Sequence, residues 1–436
     1  MFFRILIFFT ALTIMSCGSP VSAEVKANDH PFELGTFPVF KAGENGIFLA
    51  YYGKGAENSL YIKRIGDAGE TEIKARNMKG TYIVLSFLKD NIFLTWRPKD
   101  GEGEKYIYVQ RSDDKAKTFK EPVILNTTTD ALPPIGAVTD GKDRLYVAWV
   151  DERESDHRLY MNYSLNGGRD FLPRDVLLTP DFSGTNQPRL LLKDNRVDLF
   201  FTGKKKEDKS GGIYNIYSED GGKTWSQPNT VEPDMGWSPF TIVPIRTGNR
   251  MLIFWAGVEG FHGAWSKDGK KWGKVSFKET EGKDVYRLSV IPLGETVYIS
   301  TSWVTRLAVD EKPNVYFYKS EDAGMTWTGP KKINTNKYNT TSSTFPDIGL
   351  SRDGKTILVA WQDHRDIRGS IYINYSKDGG KTWLKEDIAI GKEPGKYNSA
   401  NPYIVEHKGK FYVLWLRFKD DLKAEADLFM EEVTIK

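Results

Sequence analysis

The chain has one cysteine in 436 residues, which excludes a disulfide framework. Its five histidines (His30, His157, His262, His364 and His407) are dispersed, and no pair has helical metal-ligand spacing. No metal and no cofactor is therefore expected. No glycine-rich phosphate loop opens a helix, and no nucleophile elbow occurs. An excess of one charge is also missing. The 61 basic and 58 acidic side chains leave a net +3. The one dense run, Lys204 to Lys209, carries its own counter-charges and reads as a solvated loop. Nothing here asks for nucleic acid. Helix-period stretches are scarce, and beyond the N-terminus no segment is long and apolar enough to cross a bilayer. What is abundant instead is aromatic side chains, at 13%, and glycine, at 40 residues. That mix suits an all-β protein with many turns.

The N-terminus stands apart. Arg4 is followed by an apolar run from Ile5 to Met15, the pattern of a secretory signal and too short for a membrane span. The run ends Ile14-Met15-Ser16-Cys17, which resembles a bacterial lipobox. In that family the cysteine becomes the lipidated first residue of the mature protein. A sole cysteine agrees with this, since an exported chain would otherwise carry an unpaired thiol. The alternative is an ordinary signal cleaved near Ala23. The resemblance implies a signal over 1–16, a tether over 17–35 and a body over 36–436. It also implies export and a lipid anchor at Cys17, facing the outer membrane and periplasm or the cell surface.

The body repeats one phrase. Ser218 to Trp225 reads SEDGGKTW and Ser376 to Trp383 reads SKDGGKTW. Variants start at Ser112, Ser164, Ser266 and Ser320, so that successive starts lie 52, 54, 48, 54 and 56 residues apart. A fixed period of this size marks a repeat architecture. In the fuller copies a strand ends at serine, Asp and Gly supply a tight turn, and an aromatic residue starts the return strand; the Ser164 copy has Asn166 for the aspartate and the Ser112 copy has no glycine. The aspartate can accept backbone N–H groups across its own turn. Around the phrase lies a four-strand unit, clearest over residues 344–390. An inner strand near Thr344–Leu350 precedes a second strand, Ile357–Gln362, and a loop, Asp363–Gly369. The third strand is Ser370–Tyr375 and the fourth is Thr382–Ile388.

The unit fits eight times, over about 36–78, 79–128, 132–180, 186–232, 237–280, 285–335, 344–390 and 399–436. The last copy stops one strand short. A closed ring takes that strand from the N-terminal side, within 24–34, which removes the sheet edges. The expected fold is one all-β propeller of four-stranded antiparallel blades, eight-bladed, with seven or six as alternatives. Ten tryptophans fall on second strands or just after the turns, where they pack between blades. Trp265 falls on a third strand. Trp237 alone lies in a loop before an inner strand.

With six such phrases the chain resembles the Asp-box (BNR) repeat proteins, above all the sialidase-like β-propellers. In that family the Asp boxes lie opposite the substrate face, so their carboxylates carry no catalytic role. The resemblance places function on the face built by second-to-third-strand loops and blade connections. A second phrase recurs there: Trp149 leads to Asp151 and Arg153, and Trp361 to Asp363 and Arg365. Trp96 leads to Arg97, and Trp303 to Arg306. An aspartate and an arginine two apart either pin the loop as an ion pair or face the central pocket. A sialidase needs arginines that pair bidentately with a sugar carboxylate and a tyrosine nucleophile with carboxylate partners. The family's early arginine-bearing phrase is absent. The nearest text is Gly35-Thr36-Phe37-Pro38. The resemblance thus implies Tyr286, Asp151 and Asp363 as catalytic candidates. Arg97, Arg153, Arg189, Arg287, Arg365 and Trp237 are its substrate-binding candidates. Two function classes follow. One is a glycoside hydrolase acting on sialic acid or another glycan. The other is a non-catalytic propeller binding a glycan, peptide or protein at its mouth.

Overall fold

The structure is a computed structural model that describes residues 24–33, 36–54, 59–65, 72–76, 80–98, 104–153, 155–208, 210–305, 311–336, 341–419 and 425–435. Cys17 and the signal region, the turn after Ile65, and Arg306 lie outside the described residues.

Eight four-stranded antiparallel sheets form the blades. The innermost strands, blades 1 to 8, are Val39–Gly43, Gly80–Leu88, Ala131–Thr139, Phe182–Lys193, Thr241–Thr247, Lys283–Leu293, Ser343–Leu350 and Asn398–His407. Each is followed outward by its second and third strands in chain order. The second strands are largely buried on both faces. Leu145–Asp151 and Ile357–Gln362 have no exposed residue, because neighbouring blades cover them on either side. Successive blade pairs share their cores. Tyr146, Leu159 and Met161 of blade 3 pack with Leu199, Phe201 and Tyr214 of blade 4.

The ring closes as the short last copy required. Blade 8 takes its outer strand from Val25–Lys26, which pairs with Met430 and Phe429 of the C-terminal strand Ala426–Val433. The Ala27 N–H donates to Leu428 O at 2.7 Å, and the Leu428 N–H donates to the Asn28 side chain at 2.7 Å. Beside this seam Arg417 forms a two-pronged pair with Glu24, both bonds 2.5 Å.

The Asp-box turns behave as their chemistry predicts. Asp220 Oδ1 accepts the N–H groups of Lys223 and Thr224 at 3.0 and 2.9 Å, and the Thr224 hydroxyl donates to Oδ2 at 2.6 Å. The Ser218 hydroxyl donates to the same carboxylate and accepts the Gly222 N–H. The turn then leans on the preceding blade, where the Tyr146 hydroxyl donates to Gly221 O. The glycine of such a turn is needed there: in the blade 7 copy, Ser376 to Trp383, a Cβ on Gly380 would sit 2.6 Å from the Phe317 ring of blade 6. The following tryptophans do the same. Trp383 meets Phe317 edge-on at 5.2 Å, Trp327 meets Phe254 at 5.7 Å, and Trp272 meets Phe200 at 5.7 Å.

One expectation needs correction. In blade 7 the second and third strands run on to Asp366 and from Arg368, so most of the expected loop 363–369 is hairpin. Its tip is Ile367, with φ 76°. The fourth strand is also shorter and later, Ile388–Ile390, because the Asp box occupies the residues before it.

Candidate functional site

Antiparallel order puts the second-to-third-strand turns and the blade connections at one end of the ring, the mouth, and the Asp boxes at the other. Each inner strand therefore starts at the mouth. Six of the eight are bulged there. The register breaks at Thr81/Val84, Leu132/Ile135, Asn186/Arg189, Val285/Arg287, Thr344/Asp347 and Ala400/Tyr403. A bulge bends its strand and re-aims a side chain. Tyr82, Gln187, Phe345 and Asn401 sit at these breaks with φ between 52° and 58°. The outcome is aromatic surface at the mouth: Tyr82 is 37% and Tyr286 41% exposed. Tyr82 lies against the exposed Phe37, ring centres 6.2 Å apart, and Tyr286 against Phe345 at 6.3 Å.

Tyr286 opens onto a cleft of ≈ 420 Å³ between blades 6 and 7. Around it stand Asp284, Glu311, Lys312, Thr344, Phe345 and His364. Partial burial, then the nearby Asp284 charge, push the Tyr286 hydroxyl above its ordinary value. Asp284 Oδ1 and His364 Nδ1 are buried with no hydrogen-bond partner among the described residues. The other ring nitrogen of His364 lies 3.3 Å from Gln362 Nε2. A phenol, an imidazole and two carboxylates thus share one small cleft, the inventory for moving protons on a bound substrate.

Asp151 and Asp363 do not share it. Both are fully buried. Asp363 accepts from the Ser343 hydroxyl at 2.7 Å, from Trp361 Nε1 at 2.9 Å and from Arg365 at 2.8 and 3.0 Å. Burial opposes its ionisation, but the bonds from Arg365, Trp361 and Ser343 outweigh it and hold the carboxyl below the usual value. Arg365 also reaches Asp387 at 2.7 Å and lies 4.1 Å over the Tyr372 ring. Blade 3 repeats this arrangement: Arg153 bridges Asp151 and Asp175, both 2.7 Å, over Tyr160 at 3.8 Å. Asp175 and Asp387 in turn accept the N–H groups of Thr127 and Thr335 on the connections from the preceding blades. A carboxylate with no exposed surface and so many bonds cannot reach a sugar. This geometry supports the loop-pinning reading over the catalytic one.

The remaining candidates occupy different places. Arg97 is buried and donates to Ala131 O at 2.6 Å and Pro98 O at 3.0 Å, so it joins blade 2 to blade 3. Arg287 lies in the channel, 3.9 Å from Asp347, 4.9 Å over the Tyr403 ring and bonded to Pro402 O. Arg189, half-buried on blade 4, donates to Pro188 O at 3.1 Å and has no carboxylate partner among the described residues. Burial pulls its affinity for the proton down, and the nearby Tyr82 phenol opposes this. The arginines are spread over separate blades and committed to separate partners. Trp237 lies half-buried on the connection between blades 4 and 5, against Gly257.

Residues 216–227, one complete Asp-box turn, match the family described as BNR/Asp-box repeat. The chain thus carries an Asp-box repeat within a β-propeller. Three solved structures are similar to it. One is a polysaccharide lyase, the PL25 ulvan lyase, 10% identical, covering 79% of this chain and 90% of its own, with a TM-score of 0.50. Another is the polysaccharide lyase Uly1, 12% identical over 95% of this chain and all of its own, TM-score 0.49. A third is the NanB sialidase from Streptococcus pneumoniae, 13% identical over 85% of this chain and 70% of its own, TM-score 0.38. Asp284, Glu311 and His364 escaped the sequence reading. His364 lies inside the recurring Trp361–Arg365 phrase, and its absence from the blade 3 copy, where Glu152 stands, was the available signal.

Proposed function

We propose that this Asp-box propeller acts on a glycan at its mouth, with the cleft between blades 6 and 7 as the reacting centre. One observation carries the reading: Tyr286, His364, Asp284 and Glu311 line a single cleft beside the half-buried Phe345 ring. A sugar ring stacks on an aromatic face, while the tyrosine and histidine reach its hydroxyls or ring protons. Arg189, without an acidic partner among the described residues, is suited to a substrate carboxylate or sulfate. The ulvan lyase offers a fold precedent, since that enzyme has been solved bound to -[GlcA(1-4)Rha3S]-, an anionic chain. Cys17 would hold the body at a membrane.

A second reading, a non-catalytic glycan binder, is favoured by the candidate arginines, which stand on separate blades with separate partners and do not converge on one carboxylate. The two separate in one experiment. The protein is incubated with ulvan and with sialyllactose, and free sialic acid, reducing ends and unsaturated uronate are measured. Turnover lost in Tyr286→Phe and in His364→Ala supports the enzyme. Saturable binding without any product supports the binder. Neither binding nor turnover on a panel of neutral and anionic polysaccharides would falsify both.

A further inference from the structure

A second feature of the mouth face lies away from the reacting cleft. Two hollows, of ≈ 320 and ≈ 210 Å³, flank Trp237 and share Met235, Gly236 and Trp237 in their walls. The first starts at Asn186 on the inner strand of blade 4, three residues before Arg189, and is bordered by Thr202, Lys204 and Ser238. The second continues outward past Trp255 and His262 to Lys274 on the outer strand of blade 5. Together they make a radial groove from the mouth to the rim.

Trp237 is seated, not loose. Its ring lies so close to the Gly257 backbone that a Cβ there would stand 2.5 Å from it. His262 lies 6.0 Å away and is itself stacked on Trp255 at 5.8 Å. The loop bearing Trp237 is clamped by the bulge residue Gln187, whose amide donates to Pro239 O at 2.7 Å and accepts the Ile242 N–H at 3.1 Å. Much of the first hollow's wall is glycine, Gly184, Gly203, Gly211 and Gly212 among them, so backbone lies open beside the ring. Glu232 and Asp234 also line the outer hollow, and Glu232 pairs with Lys274 at 3.0 Å. A rigid aromatic plane between amide, hydroxyl, carboxylate and lysine groups matches a pyranose, which has an apolar C–H face and a hydroxyl-bearing edge. An apolar peptide would need a more continuous apolar wall than this one.

We infer that this groove is a lane for successive sugars of a polymer, with one ring stacked on Trp237, so that the protein engages the chain beyond the residue held at the mouth. The inference rests on the glycan reading above and adds that the substrate is a polysaccharide, not an isolated terminal sugar.

The test measures binding of ulvan oligosaccharides of two to ten residues by titration calorimetry. Wild type, Trp237→Ala, Trp237→Phe and Tyr286→Phe are compared, with near-ultraviolet circular dichroism reporting the fold. Trp237→Ala is expected to weaken binding of the long oligosaccharides about tenfold, the worth of one stacking contact, and to leave the disaccharide unchanged. Trp237→Phe restores most of the loss, and Tyr286→Phe keeps the length dependence. Equal affinity of wild type and Trp237→Ala for every length overturns the lane while leaving the mouth reading intact. So does a proline-containing peptide that binds wild type but not Trp237→Ala in place of the oligosaccharides. If wild type binds no oligosaccharide of any length, the glycan reading itself fails and the lane with it.

Discussion

Replacing Arg417 by alanine tests whether the ring is locked by charge at its seam. Arg417 and Glu24 are joined by two bonds, with side chains only 10% and 3% exposed. The guanidinium lies 4.1 Å over Phe429 and 4.8 Å over Tyr397, so it cannot swing out to solvent without losing that packing. Glu24 also accepts the Lys392 N–H at 2.7 Å, and Glu431 accepts the Gly391 N–H at 3.0 Å. Removing one member of a buried pair costs about 3–5 kcal/mol, because the other charge is stranded. Against a total stability of about 5–15 kcal/mol that is a large share, and it falls on a closing strand of two residues. Glu431 adds a pH signature. Burial, aided by the Glu24 charge, raises its carboxyl from 4.5 to about 7, against the Gly391 N–H and the Arg417 charge. A raised folded-state value contributes stability that is fully present below 4.5 and is lost as pH rises towards 7. That difference amounts to about 3 kcal/mol at most. Urea unfolding from pH 4.5 to 7.5 reads both effects. Wild type should lose stability across that window, Glu431→Gln should flatten the slope, and Arg417→Ala should fall below wild type at every pH. Identical slopes in wild type and Glu431→Gln, or a loss under about 1 kcal/mol in Arg417→Ala, the range of an exposed pair, would refute the buried-clamp account.

Other outcomes follow from the same geometry. Asp363→Asn leaves Arg365 facing only Asp387, and should cost about 3–5 kcal/mol in denaturant unfolding without changing affinity for any ligand of the mouth. The Asp-box carboxylates of Asp114 and Asp322 are partly desolvated, yet hydrogen bonds from Thr118 and Thr326 pull each to about 2. Their contribution is present above the ordinary value and is lost as pH falls through 2, so acid unfolding monitored by tryptophan fluorescence should be shifted to higher pH by Asp322→Asn. Metabolic labelling with a radiolabelled fatty acid should mark the wild-type protein in a bacterial host and not Cys17→Ser. Label in both would remove the anchor from the proposal.

The blades were legible because the Asp-box phrase is a local device: six residues satisfy their own turn, so the spacing survives in sequence. The closing strand was legible by subtraction, since the final copy ended with an unpaired edge. The bulges were not, although Pro188, Pro346 and Pro402 stand inside would-be inner strands, where proline signals a break in the ladder. Those bulges decide which side chains meet the mouth. The pinning pairs looked like site residues because Trp-x-Asp-x-Arg has the composition of chemistry, and only burial tells it from architecture. Tyr286 and His364 belong to different blades, and their shared cleft exists only once the ring is assembled.

The closing strand also has a direction. As the fourth strand of its blade, Val25–Lys26 runs from the Asp-box end toward the mouth, so Glu24 at its start stands on the side opposite the cleft. Should Cys17 carry a lipid, the pull of the membrane would come from beneath the Asp boxes. A tether held at that end would leave the opening of the ring turned away from the membrane.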